Sequence, residues 1–171
     1  MSDEVCLLRS FPSSLSSFLL RKSSMKQKFV NLTNARPGEY KRVIEEIAKT
    51  GKCPFCKDNL KYHRKPIVKR SGEWFLTGGT WPYKNTRCHL IILGEKHREN
   101  FSELTKKDFE AVFYLAKWAI KKYKIKGGAL ATRFGDTNYT GASVSHLHFH
   151  LISPQINKKT GHSKTVNFPV G

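Results

Sequence analysis

The chain has 171 residues, enough for one compact domain and too few for two ordinary ones. Its 39% apolar and 12% aromatic content excludes a disordered polymer, and no apolar run is long enough to span a bilayer, so a soluble protein with no membrane partner is expected. Thirty-one Lys and Arg against thirteen Asp and Glu leave a net charge of +18, which suits nucleotide polyphosphates and also nucleic acids.

Residues 1–24, MSDEVCLLRSFPSSLSSFLLRKSS, are Ser-rich with an apolar stretch and basic residues, as in organelle transit peptides, although Asp3 and Glu4 run against that reading. A disordered leader is expected there, with Met25 as an alternative start and the folded unit over 25–171. The sequons at Asn31 and Asn138 are three-residue matches of the kind that arise by chance. From Gly38 to Lys49, Tyr40, Val43, Ile44, Ile47 and Ala48 recur at helical spacing, and Gly51 supplies the stop. Cys53-Pro-Phe-Cys56 follows. Beside several histidines it reads as a metal half-site rather than a disulfide, in a reducing, cytoplasmic setting.

IVKRSGEWFL (67–76) has a hairpin pattern with Ser71-Gly72 at its middle, and His89-Leu-Ile-Ile-Leu93 reads as a central strand. Residues 105–124 form the longest regular pattern. Thr105 and Asp108 make a capping pair, Phe109, Val112, Phe113, Ala116, Ala119, Ile120 and Tyr123 form the expected core face, and Gly127-Gly128 ends the helix. The lysines of the other face read as a solvated surface. A strand over 129–133, a Gly/Thr/Ser-rich loop and a last strand complete an α+β fold, an antiparallel sheet with one long helix and a shorter one.

That last strand carries SHLHFHLI. In a strand His146, His148 and His150 would stand on one face while Leu147, Phe149 and Leu151 turn to the core. Three imidazoles in line can hold a metal, pair a base with a nucleophile or receive an anion. The preceding loop, Gly135 to Ser145, is rich in backbone donors and hydroxyls that can hold phosphate oxygens.

His146-Leu-His148-Phe-His150-Leu-Ile resembles the signature of the histidine-triad (HIT) superfamily of nucleotide hydrolases and transferases. Trp81-Pro-Tyr-Lys-Asn85 with His89 and His97, and Asn167-Phe-Pro-Val-Gly171, look most like its diadenosine polyphosphate hydrolase and phosphorylase branch; together the resemblance spans about 50–171. It implies a HIT-like two-layer fold and a covalent nucleotidyl-histidine on His148. It also implies phosphate contacts from His150, Ser143 and the Gly141 backbone, with His89 close by and Asn85 toward the substrate; Arg133, in a loop where this sequence departs from the family, is a further candidate to reach a phosphate. A structural Zn2+ would sit on Cys53, Cys56, His97 and His146, with His63 and Cys88 as competing ligands, and a homodimer is implied by relatives. Three departures blur specificity: Ala142 where many members carry Gln, Thr77-Gly-Gly-Thr80 where an Asn is common, and a longer loop over 133–140. A binder of adenylated or capped polynucleotide ends and a regulatory nucleotide-binding module are the alternative readings.

Overall fold

The computed structural model describes residues 29–171; the expected leader over 1–24 lies outside them. Helix α1 (Glu39–Thr50) buries Val43, Ile44 and Ile47 and stops at Gly51, whose left-handed backbone (φ 61°) returns the chain toward Cys53. A 3-10 turn over Lys57–Tyr62 leads into the hairpin of β1 (Ile67–Ser71) and β2 (Trp74–Gly78). Strand β3 (Thr86–Gly94) is longer than the apolar run alone indicates, because its first residues pair with the end of the last strand.

Helix α2 (Lys106–Lys122) begins at the expected capping box. Thr105 accepts from the Asp108 amide and the Asp108 carboxylate accepts from the Thr105 amide at 2.8 Å. The same carboxylate accepts from the Trp74 indole at 2.9 Å, fastening the helix start to β2. Strand β4 (Ala129–Thr132), one turn of helix α3 (Thr137–Thr140) and β5 (His148–Pro154) complete an antiparallel sheet in the order β1-β2-β3-β5-β4. Gly128 is forced at the β4 edge: a Cβ there would lie 2.1 Å from the Ile152 carbonyl oxygen.

One sheet face packs on α2 through Trp74, Leu76, Leu90, Ile92, Phe149 and Leu151. The other carries Phe75, Ile91 and Leu93 together with His89, His148 and His150, and is covered by Phe55 and Leu60 and by the cluster around α1. The α2 core face differs from the expected one. Ala111, Val112, Leu115, Ala116 and Ala119 face the sheet, whereas Phe109 is 46%, Phe113 63% and Ile120 42% exposed. Small residues let the helix approach the sheet closely, and the bulky ones are left on a second apolar face.

Candidate functional site

The histidine row is only partly a strand. Strand β5 starts at His148, and His146 lies in the bend before it, where the Leu147 amide donates to the Arg98 carbonyl. This corrects the picture of three imidazoles in line: His148 and His150 look into one pocket while His146 turns toward Cys53. All three are buried, so the row is not a polar surface.

His146 Nε2 lies 3.0 Å from the Gly94 carbonyl, which can only accept, so Nε2 carries the proton and Nδ1 offers its lone pair. That Nδ1 lies 3.3 Å from Cys53 Sγ and 3.9 Å from Cys56 Sγ. His97 Nδ1 lies 3.6 Å from Cys56 Sγ, and its Nε2 donates to Glu99 at 3.0 Å, a carboxylate that orients the ring. The donor atoms of Cys53, Cys56, His97 and His146 all lie within 4.8 Å of one another, a set able to hold a metal. His63 and Cys88 are elsewhere: His63 bonds Thr77 at 2.7 Å and Cys88 packs near the α2 cluster. Burial pushes the Cys53 thiol up to about 12, so without a cation the pair stays protonated.

On the pocket side, hydrogen bonds fix the proton positions one after another. The Tyr83 amide can only donate, so His89 Nδ1 accepts from it at 3.2 Å and His89 Nε2 holds the proton. That N–H donates to His150 Nδ1 at 2.9 Å, which places the His150 proton on Nε2. His148 Nδ1 donates to the His146 carbonyl at 2.5 Å, leaving its Nε2 with a free lone pair. Burial lowers His89 and His148 to about 4 and holds His150 well below its ordinary value, so all three are neutral near pH 7.

The pocket in front of these rings opens to solvent at its mouth. Ile44, Ile47, Phe55, Tyr62 and Trp81 form an apolar wall; Arg36, Tyr83, Arg133 and Pro169 stand on its polar side. Three buried polar atoms without a hydrogen-bond partner belong to residues lining it: His150 Nε2, Thr80 Oγ1 and Arg133 Nε. Among the described residues only Arg98 Nη1 shares that condition elsewhere. Unmet donors and acceptors gathered in one cavity are what a polar ligand would satisfy.

The other sequence-derived candidates divide. Ser143 is in the pocket, its hydroxyl bonded to that of Tyr40. Arg133 donates to the Gly141 and Pro169 carbonyls and lies 3.3 Å from the Tyr83 hydroxyl. Gly141 lines the pocket, but its amide, the one group it could offer a phosphate, donates to the Thr137 carbonyl, and its carbonyl accepts from Arg133. Asn85 is not brought in: with φ 66° it makes a turn, and its side chain donates to the Thr165 carbonyl at 2.8 Å. Arg36 and Tyr40 escaped the sequence reading. Arg36 donates to the Trp81 and Pro82 carbonyls and stacks over Tyr40 and Tyr83 at 5.3 and 5.1 Å, yet it lies more than a hundred residues before the triad.

A family model for the HIT domain matches residues 84–156. Solved structures agree on the fold. A "Hit Like Protein" is 20% identical with a TM-score of 0.51 and covers 61% of this chain and 100% of its own. A histidine triad nucleotide-binding protein from Candida albicans is 17% identical with a TM-score of 0.53, covering 70% and 85%. A hypothetical protein from Leishmania major is 21% identical with a TM-score of 0.51, covering 70% and 84%. A comparison with curated proteins finds no match. The matched HIT segment holds the triad, His89 and His97, whereas Cys53, Cys56, Arg36 and Tyr40 come from outside it.

Neutral buried histidines carry a pH signature. Their folded pKa lies below the unfolded value of about 6.5, so their contribution is fully present above that pH. As pH falls toward 4 the unfolded chain binds protons that the folded one refuses. In chelator-treated protein, urea titrations should show stability falling from about pH 6.5 downward, at up to about 1.4 kcal/mol per unit for each such histidine. A flat profile between about pH 6.5 and 5 would refute the neutral, desolvated site.

Proposed function

We propose that the protein cleaves a phosphorus–oxygen bond in a nucleoside polyphosphate, such as diadenosine tetraphosphate, by nucleotidyl transfer through His148. The observation that carries the reading is the fixed lone pair of His148 Nε2 in a pocket whose partnerless polar atoms include the His150 N–H. The apolar wall of Ile44, Ile47, Phe55 and Trp81 suits a base, while Arg36 and Arg133 on either side of Tyr83 suit a polyphosphate.

In the first step His148 Nε2 attacks the α-phosphorus; an N–P bond forms and the bond to the bridging oxygen breaks, its electrons leaving with the remaining nucleotide. The His150 Nε2–H stabilises charge on a non-bridging oxygen, with Ser143 nearby and held by Tyr40. Water or phosphate then attacks the phosphorus, and the N–P electrons return to His148. His89 is a positioning residue that fixes the His150 proton.

The Cys2His2 set suits Zn2+ as a closed structural site: two thiolates and two imidazoles fill a tetrahedron and leave no position for reacting water. The support is the chemistry of the donors and the Glu99 carboxylate behind His97. A homodimer is also part of the proposal. Phe109 and Phe113 on α2 and Phe134 after β4 are 46%, 63% and 51% exposed, and β4 is an edge strand, so one apolar face adjoins unpaired backbone.

Four outcomes are expected. Brief incubation with diadenosine tetraphosphate should add one AMP, mapped to His148 by intact-mass and peptide spectrometry. His148→Ala should lower turnover by several orders of magnitude without loss of fold; retention of more than roughly a tenth of the activity removes the nucleophile. Purified protein should contain one zinc per chain, and Cys53→Ser should lower zinc content and thermal stability together, because metal binding is folding free energy; unchanged melting with zinc lost would make the site dispensable. In sedimentation, Phe113→Asp should convert dimer to monomer, and a monomeric unmodified protein would end the dimer proposal.

A further inference from the structure

From Ala111 to Gly171 the chain has nine Lys and Arg and a single acidic residue, Asp136. The fold gathers most of these cations at one end of the sheet. Thr86 pairs with Pro154, which brings Lys84 and Arg87 beside the end of β5. Arg87 donates to the Tyr123 and Lys124 carbonyls, which places the end of α2, with Lys121, Lys122, Lys124 and Lys126, on the same corner. The segment after β5 folds back through the Ile156–Ser163 bridge, and the Gln155 amide donates to the Asn85 carbonyl, adding Lys158, Lys159 and Lys164.

The corner thus holds nine cations, counting Lys84 and Arg87 and leaving out Lys117 and Arg133; all nine are exposed, and none takes part in an ion pair among the described residues. Asp136 is not at this corner: it caps α3, and the neighbouring Gly135 amide donates to the Glu99 carbonyl beside the cysteine cluster. The α2 C-terminus accounts for Lys121 and Lys122, whose charges complement the helix dipole. It does not account for the convergence of three separate segments with no acid among them, a concentration of like charge that repels itself unless an anion lies across it.

We propose that this basic corner binds the phosphate backbone of a polynucleotide. The inference goes beyond the nucleotidyl chemistry and does not rest on it. None of the nine residues lines the histidine pocket. The corner nonetheless adjoins it, since Lys84 follows Tyr83 and Thr165, next to Lys164, is held by Asn85. A linear array of phosphates matches three cationic segments around one corner better than a compact anion, which two or three lysines would satisfy.

The test is binding of fluorescent single-stranded RNA and DNA of about 16 nucleotides to the full chain across a salt series. One variant combines Lys121→Gln, Lys122→Gln, Lys158→Gln and Lys159→Gln. A charge-matched control combines Lys41→Gln, Arg42→Gln, Lys49→Gln and Lys52→Gln around α1. The corner variant should bind at least about tenfold more weakly near 0.15 M salt, with the log–log salt slope reduced by about 3, while the control stays close to the unmodified protein. Equal losses in both variants would reduce the effect to net charge and overturn the proposal. So would retention of binding only to vesicles containing anionic lipid. Turnover of diadenosine tetraphosphate is followed in parallel: its absence from the unmodified protein would remove the proposed chemistry and leave the polynucleotide surface standing.

Discussion

The pairing of β3 with β5 is the constraint on which the site depends. In its register Ile91 lies opposite His150 and Leu93 opposite His148. Because side chains alternate across a strand, a slip of one residue would send both imidazoles into the α2 core and Phe149 and Leu151 into the pocket. Both errors are expensive: two polar rings would lose their partners in an apolar layer, and two large apolar groups would line a polar cavity. The irregularity in this pairing falls between Thr86 and Cys88, outside the part that carries His89. The stretch that sets the chemistry is thus held by the burial of both its faces.

Burial also determines what the imidazoles can do. A solvated histidine exchanges its proton between two nitrogens; here each choice is made by a neighbour that can only donate or only accept. The Tyr83 amide starts the chain, His89 passes the polarity on, and His150 ends it with a donor that has no protein partner. His148 is set oppositely by a carbonyl and presents an acceptor. A donor and an acceptor therefore stand on one strand face, with ring centroids 4.7 Å apart. The free energy of leaving His150 Nε2 unmet is offset by the packing of the surrounding sheet, as at functional sites generally.

Much of this was legible in the sequence where local pattern and tertiary role coincide. The His-apolar alternation announced the strand, and Thr105 with Asp108 announced the start of α2. The α2 core face was partly anticipated: Val112, Ala116 and Ala119 meet the sheet as expected, but together with Ala111 and Leu115 rather than Phe109, Phe113 and Ile120, because the helix has two apolar stripes at the same period and size does not reveal which one is buried. Asn85 was singled out by the likeness of Pro82-Tyr83-Lys84-Asn85 to the family's pattern; in the structure its positive φ and its bond to the Thr165 carbonyl place it at a turn. Arg36 and Tyr40 gave no local signal, because what brings them to the pocket is the packing of the cluster around α1 against Val144 and Trp81.

The cysteine cluster and His148 are joined through His146. Its ring faces the sulfurs, while its carbonyl holds the proton of His148 Nδ1. Phe55, between the two cysteines, packs its edge against both rings, with centroids 6.0 Å from His146 and 5.2 Å from His148. A metal bound there need not touch substrate to matter. Held by such a metal, the His146 ring would keep in place the backbone oxygen that selects the His148 tautomer, and the Cys53–Cys56 turn would keep in place one wall of the pocket. The segment before residues 84–156 therefore bears on the histidine pocket by restraining geometry, Cys53 against the His146 ring and Phe55 against the rings of His146 and His148.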